Sequence, residues 1–175
     1  MSVDKTSLLE ASLREFFARR DHAVVAKAYL TPNAGSTSLR TIDWFITTYS
    51  RRNAVVILMD DGRVVDLHTS YKSMLKSFGK KRFDVFKRGQ TLRFDLAGVP
   101  IETTLPQLNF FRWLIKYNVA TYIASHAREI DRAMKAYFEQ KRTEQPGGGG
   151  PSSTKKRKKR VCTANNSIVA RVVFD

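Results

Sequence analysis

The segment AVVILMDDGRVVDLH, residues 54–68, leaves few options for how the chain around it can fold. Two β-branched runs flank Asp61-Gly62, a pair that accepts the positive φ angles of a tight hairpin turn, so strands are expected over about 54–59 and 63–68. TLRFDL and PIETT bracket Ala97-Gly98-Val99 in the same manner. Two hairpins imply an antiparallel sheet of four or five strands.

Around them the hydrophobic period changes from two to 3.6. Leu9, Leu13, Phe16 and Phe17 predict a helix over about 7–20, with Ser7 and Glu10 spaced as a capping box. His22–Leu30 (HAVVAKAYL) reads as a strand and TPNAGSTS as a loop. Leu39, Ile42, Phe45, Ile46 and Tyr49 share one side of a second helix ending near Arg51 and Arg52. Tyr71, Met74, Leu75 and Phe78 form a third stripe, capped by Thr69 or Ser70 and stopped at Gly79. Thr104, Pro106 and Gln107 announce a helix through Leu108, Phe111, Leu114 and Ile115 that is apolar nearly all round and therefore central. Asn118 separates it from a longer amphipathic helix carrying Tyr122, Ile123, Ile130, Met134, Tyr137 and Phe138, whose mixed-charge outer face reads as solvated surface. The expected fold class is α+β: a small antiparallel sheet of hairpins packed against several helices, with a flexible basic tail.

At 175 residues, 42% hydrophobic and 11% aromatic, the chain can build one core. The expected organisation is a globular domain over 1–142, a flexible Gly-rich basic linker over 143–166, and a strand over 167–175 whose alternation suits a return to the sheet edge. A single cysteine, Cys162, excludes an intramolecular disulfide framework and points to a reducing compartment. MSVDKTSLLEASLREFF lacks the build of a signal peptide, and no apolar run reaches the roughly 20 residues of a bilayer span, so a soluble protein without a membrane span is expected.

Lys plus Arg number 31 against 16 Asp plus Glu, a formal charge of +15. Such a field attracts polyanions. Lys155, Lys156, Arg157, Lys158, Lys159 and Arg160 supply six of those charges, and the surplus that remains belongs to the rest of the chain. In residues 71–93 Lys72, Lys76, Lys80, Lys81, Arg82, Lys87, Arg88 and Arg93 face Asp84 alone. Lys72, Lys76 and Lys80 are four apart and line one side of a helix, a stripe that can follow a phosphate backbone. Phe78 is assigned to packing, while Phe83 and Phe86 could stack on bases if exposed. The nucleic-acid-binding residues expected are Lys72, Lys76, Lys80, Lys81, Arg82, Lys87 and Arg88, with Lys155–Arg160 as a second arm. KKRKKR also fits nuclear import; a membrane contact ranks below both because no lipidation site or anchoring helix is near.

Catalytic signals are absent. His22, His68 and His126 are far apart, so no metal site is expected, and Asp60-Asp61 suits the turn better than a cation. The four glycines lack the Lys-Ser or Lys-Thr of a P-loop. An enzyme would need a pocket gathering dispersed groups such as Asp43, Asp66, Asp95 or His68. No enzyme activity and no cofactor are expected.

IDWFITTYSRRN (42–53), YKSMLKSFGKKRFDVFKRG (71–89) and LPQLNFFRW (105–113) resemble segments of uncharacterised proteins of the nucleocytoplasmic large DNA viruses. The resemblance spans about 38–142 and includes the alternating C-terminal strand. It implies a viral intracellular or virion-associated protein of unestablished activity and assigns no functional residue. The resulting expectation is a largely sequence-nonspecific nucleic-acid-binding protein of genome packaging, condensation or transcription, with DNA favoured over RNA and the host nucleus or virion as its location. A structural virion component contacting other virion proteins is the rival, and oligomeric state is left open.

Overall fold

The computed structural model describes residues 4–31 and 37–144. The expected basic linker beyond Glu144, the run Lys155–Arg160 and the C-terminal strand lie outside the described residues, as does Pro32–Ser36 of the loop.

Helix α1 (Lys5–Ala18) buries Leu9, Leu13 and Phe17, as their spacing predicts. Its cap is Asp4, whose carboxylate accepts from the Thr6 N–H at 3.1 Å. The capping box expected from Ser7 and Glu10 does not form. Ser7 Oγ donates to the Asp4 carbonyl, and Glu10 turns outward to Arg14 at 2.6 Å.

Residues 22–30, expected as a strand, are helical in α2 (Arg20–Leu30). The buried face here is made by Ala23 and Ala26, one turn apart and almost fully enclosed. Alanine is the strongest helix former and lets α2 lie close against the central helix, yet it adds little to a hydrophobicity pattern. Tyr29 extends the contact by donating its hydroxyl to the Ala120 carbonyl at 3.0 Å.

The second expected helix is continuous but not uniform: α3 (Leu39–Trp44) passes through a π-helical turn (Phe45–Tyr49) into α4 (Ser50–Asn53). Thr47 Oγ1 donates to the Asp43 carbonyl and Ser50 Oγ to that of Ile46, the back-bonding by which hydroxyls loosen a helical ladder. The wider turn lets Trp44, Phe45 and Ile46 all be buried in succession.

Both hairpins form. β1 (Val56–Leu58) pairs with β2 (Val64–Asp66), and β3 (Leu92–Leu96) with β4 (Val99–Thr103). Among the described residues they make two separate two-stranded sheets in place of one sheet of four or five strands. β2 cannot extend, because Asp66 caps α5 (Leu67–Phe78) by accepting from the Thr69 N–H at 2.7 Å. Leu67 and His68, expected in the strand, therefore start the helix, and neither Thr69 nor Ser70 is its cap. The second hairpin packs instead on α2.

Helix α6 (Leu105–Lys116) is central, with Leu108, Phe110, Phe111, Trp113 and Leu114 buried around its circumference. The amphipathic helix expected after Asn118 is two: α7 (Val119–Ser125) and α8 (Ala127–Thr143). The break is at His126, whose ring stacks 4.2 Å from that of Tyr122 while Nδ1 lies 2.9 Å from the Tyr122 carbonyl oxygen. The molecule is thus an α+β assembly, mostly helical, with one core. Among the described residues no helix is long and apolar enough to cross a membrane.

Candidate nucleic-acid interface

The basic segment leaves α5 at Gly79, where φ of 67° gives a turn that a side chain would strain. From there the chain runs across the start of α6 in an irregular loop held at several points. Phe83 and Val85 point inward and are 2% and 3% exposed. Gln107 Nε2 donates to the Val85 carbonyl at 2.9 Å, Asn109 Nδ2 to the Arg82 carbonyl at 2.8 Å, and the Asp84 N–H to the Pro106 carbonyl at 3.2 Å.

Gln107 was legible only as the partner in a capping box with Thr104. Thr104 does cap α6, accepting from the Gln107 N–H at 3.3 Å. The Gln107 side chain goes elsewhere: it accepts from Thr103 Oγ1 at 2.9 Å and ties down the loop. Asn109 is oriented in turn by Arg112, whose guanidinium donates to Asn109 Oδ1 at 2.6 Å and to Ser12 Oγ at 2.9 Å. Burial pushes the Arg112 guanidinium below its ordinary pKa. These three residues were missed as site builders, although polar side chains on a helix apolar all round must find partners. That was the available signal.

Of the expected contact residues, Lys72, Lys76, Lys80 and Lys81 are exposed and Arg82 is half-buried. Among the described residues none of the five has a carboxylate within 4.0 Å. They form one path from the flank of α5 into the anchored loop. Lys87 and Arg88 differ from expectation: Lys87 Nζ lies 3.3 Å from Glu102, and Arg88 lies 3.3 Å from Asp84. Both are surface ion pairs, weak in water but enough to divide each cation's attention. Phe83 is core and offers no stacking face to a base. Phe86 is half-buried with the Arg88 guanidinium 4.9 Å above its ring.

Beside this path lies a cleft of about 750 Å³ between α1, the end of α5 and the start of α6. Leu9, Phe78, Leu92, Leu105 and Pro106 make its apolar surface, and Lys80, Lys81, Arg82 and Arg88 are the cations that line it. Phe78, expected only in packing, does both: it lies against the core and borders the cleft.

Two of the four dispersed groups considered for an enzyme are engaged in turns and caps. Asp66 caps α5, and Asp95 accepts from the Gly98 N–H at 2.9 Å in the second hairpin turn. Asp60 accepts from Asn118 Nδ2 at 2.9 Å, while Asp61 is paired with Arg63 at 2.6 Å, whose hydrogen bonds hold the carboxyl below its ordinary pKa. His68 Nδ1 is buried without a hydrogen-bond partner among the described residues. Asp43 is half-buried, and burial, with the charge of Asp84 second, pushes its carboxyl upward against a smaller opposing effect of Arg88.

A family model described as a family of unknown function (DUF7197) matches residues 1–169. Uncharacterized protein L507 of Acanthamoeba polyphaga mimivirus is 26% identical over 131 residues, covering 70% of this chain and 51% of that protein. The chain therefore spans about half the length of the curated relative it matches. No solved structure matches the chain.

Proposed function

The chain belongs to the DUF7197 family, and from that premise, which assigns no activity, we propose that it binds nucleic acid through phosphate contacts with little sequence preference. One observation carries the reading: Lys72, Lys76, Lys80, Lys81 and Arg82 continue from helix into anchored loop with no carboxylate of their own within 4.0 Å among the described residues. Cations so held displace condensed counterions when they meet a strand of phosphates, and the gain is entropic. Rigid placement limits what ordering costs on binding. The six cations of Lys155–Arg160 add to the same field in charge alone. DNA is the preferred partner, in genome packaging, condensation or transcription within a host nucleus or virion.

The test is binding of the full chain to unrelated duplex and single-stranded sequences across a salt series. About six phosphate contacts give a slope of log affinity against log salt near −5 on duplex. A flat salt response, or discrimination among unrelated sequences by orders of magnitude, removes the proposal.

One observation favours a second reading, a structural role among virion proteins. Val56, Leu58 and Val64 project from one face of the first hairpin and are 41%, 51% and 65% exposed. An apolar face of this kind suits contact with another protein. Charge reversal at Lys72 and Lys76 would leave such an association intact while weakening the nucleic-acid contact and flattening its salt slope.

A further inference from the structure

We propose, building on the nucleic-acid reading above, that the cleft beside the basic path receives one unpaired nucleotide of a strand, its base against the apolar surface and its phosphates on the cationic rim. A phosphate backbone alone asks only for charge at intervals, and the exposed lysines of α5 supply that. The cleft offers something different. Its volume of about 750 Å³ lies within the range of small-molecule sites, and its apolar residues come from α1, α5, β3 and α6 together. Lys80, Lys81 and Arg82 stand at its edge on a loop that Gln107 and Asn109 hold in place.

An apolar hollow joined to a cationic rim matches a ligand made of a flat apolar plate joined to an anion. A nucleobase with its phosphate is that ligand. Phe78 gives the plate an aromatic neighbour and is itself backed by the Arg112 guanidinium, 6.0 Å from the ring centre. Glu10 also lines the cleft, but its carboxylate is engaged by Arg14 at 2.6 Å. Bases inside a duplex are stacked and cannot enter, so the cleft selects single strands, ends and bulges. The charged path binds any phosphate strand; the cleft adds a preference for an exposed base.

The experiment compares the full chain binding a thymidine oligonucleotide with an abasic oligonucleotide of equal length and charge at one low ionic strength. The thymidine strand is expected to bind at least about fivefold more tightly, the lower end of what a base–aromatic contact contributes. Thr91→Trp, at an exposed position lining the cleft, fills it and should erase that difference. Thr6→Trp, entering from the α1 wall, serves the same purpose should the first variant misfold by circular dichroism. Equal affinity for the two strands, or a base preference that survives a folded cleft-filling variant, overturns the cleft assignment and leaves the charged surface standing. Binding of neither strand overturns both proposals. Displacement of the oligonucleotide by free thymidine monophosphate at equal nucleotide concentration would transfer the cleft to a soluble nucleotide and overturn the strand assignment.

Discussion

Asp43 carries its charge in an unfavourable place, half-buried on α3 with Asp84 close enough to repel it. Its carboxyl holds a proton more tightly in the folded chain than in the unfolded one, where the pKa is about 3.9. The ionised form therefore costs stability, a cost absent below the unfolded pKa and fully present once pH has risen through the raised folded value. Asp43→Asn is expected to raise the thermal midpoint at pH 7 and to lose that advantage as pH falls toward the unfolded value, measured by calorimetry across pH. A larger gain at acid pH than at neutral pH would contradict this. Ala54 is a second strained position, ending α4 with φ 46° and ψ 53°. Glycine is at home there, so Ala54→Gly should stabilise by about 0.5–1 kcal/mol in denaturant unfolding, the relief of left-handed strain less the added unfolded-state entropy. Neither feature was legible beforehand: Asp43 stood out only as one of the dispersed groups an enzyme would have to gather, with nothing local to mark its burial beside Asp84, and nothing local marks Ala54 as left-handed.

At the scale of elements, the loop after α5 owes its shape to α6. Gln107→Leu keeps the volume but leaves the Val85 carbonyl and Thr103 hydroxyl without their partner, and a buried group so orphaned costs about 1–3 kcal/mol. Hydrogen exchange should then show residues 79–91 opening more readily while α6 stays protected, with nucleic-acid affinity falling because the cations lose fixed positions. Unchanged exchange in that segment would mean the loop is held without Gln107, by the burial of Phe83 and Val85 and by the Asn109–Arg82 and Asp84–Pro106 hydrogen bonds. The hairpins were legible because period-two alternation and a glycine-bearing turn, Asp61-Gly62 in the first and Ala97-Gly98 in the second, are local signals. The lost strand at 22–30 shows the opposite case. Val24 and Val25 suggested β structure, but what decided the matter was Ala23 and Ala26 fitting against a helix some 80 residues away, a tertiary contact no local pattern encodes. The two hairpins stayed separate for a similar reason, since the onset of α5 at Asp66 is set by a cap rather than by hydrophobic period.

Over the whole molecule, charge was readable from the sequence in amount but not in arrangement. The excess of 31 basic over 16 acidic residues predicts a cationic surface, yet it is the fold that brings Glu102 and Asp84 to Lys87 and Arg88 and leaves Lys72 through Arg82 as the path unopposed among the described residues. That arrangement makes a separable prediction. Each cation that meets a phosphate on duplex DNA contributes about −0.9 to the slope of log affinity against log salt. Replacing Lys72, Lys76, Lys80 and Lys81 together by alanine, all exposed and outside the core, should flatten the slope by about 3 to 4 while leaving unfolding stability within about 0.5 kcal/mol. Deleting Pro151–Arg160 removes six cations but should flatten it by at most about 2, the part of a total slope near −5 that the four lysines leave. If both surfaces bind one duplex, the two changes add; if the lysines of α5 and its loop merely face solvent, the fourfold variant titrates with the slope of the intact chain and the folded surface drops out as a phosphate contact.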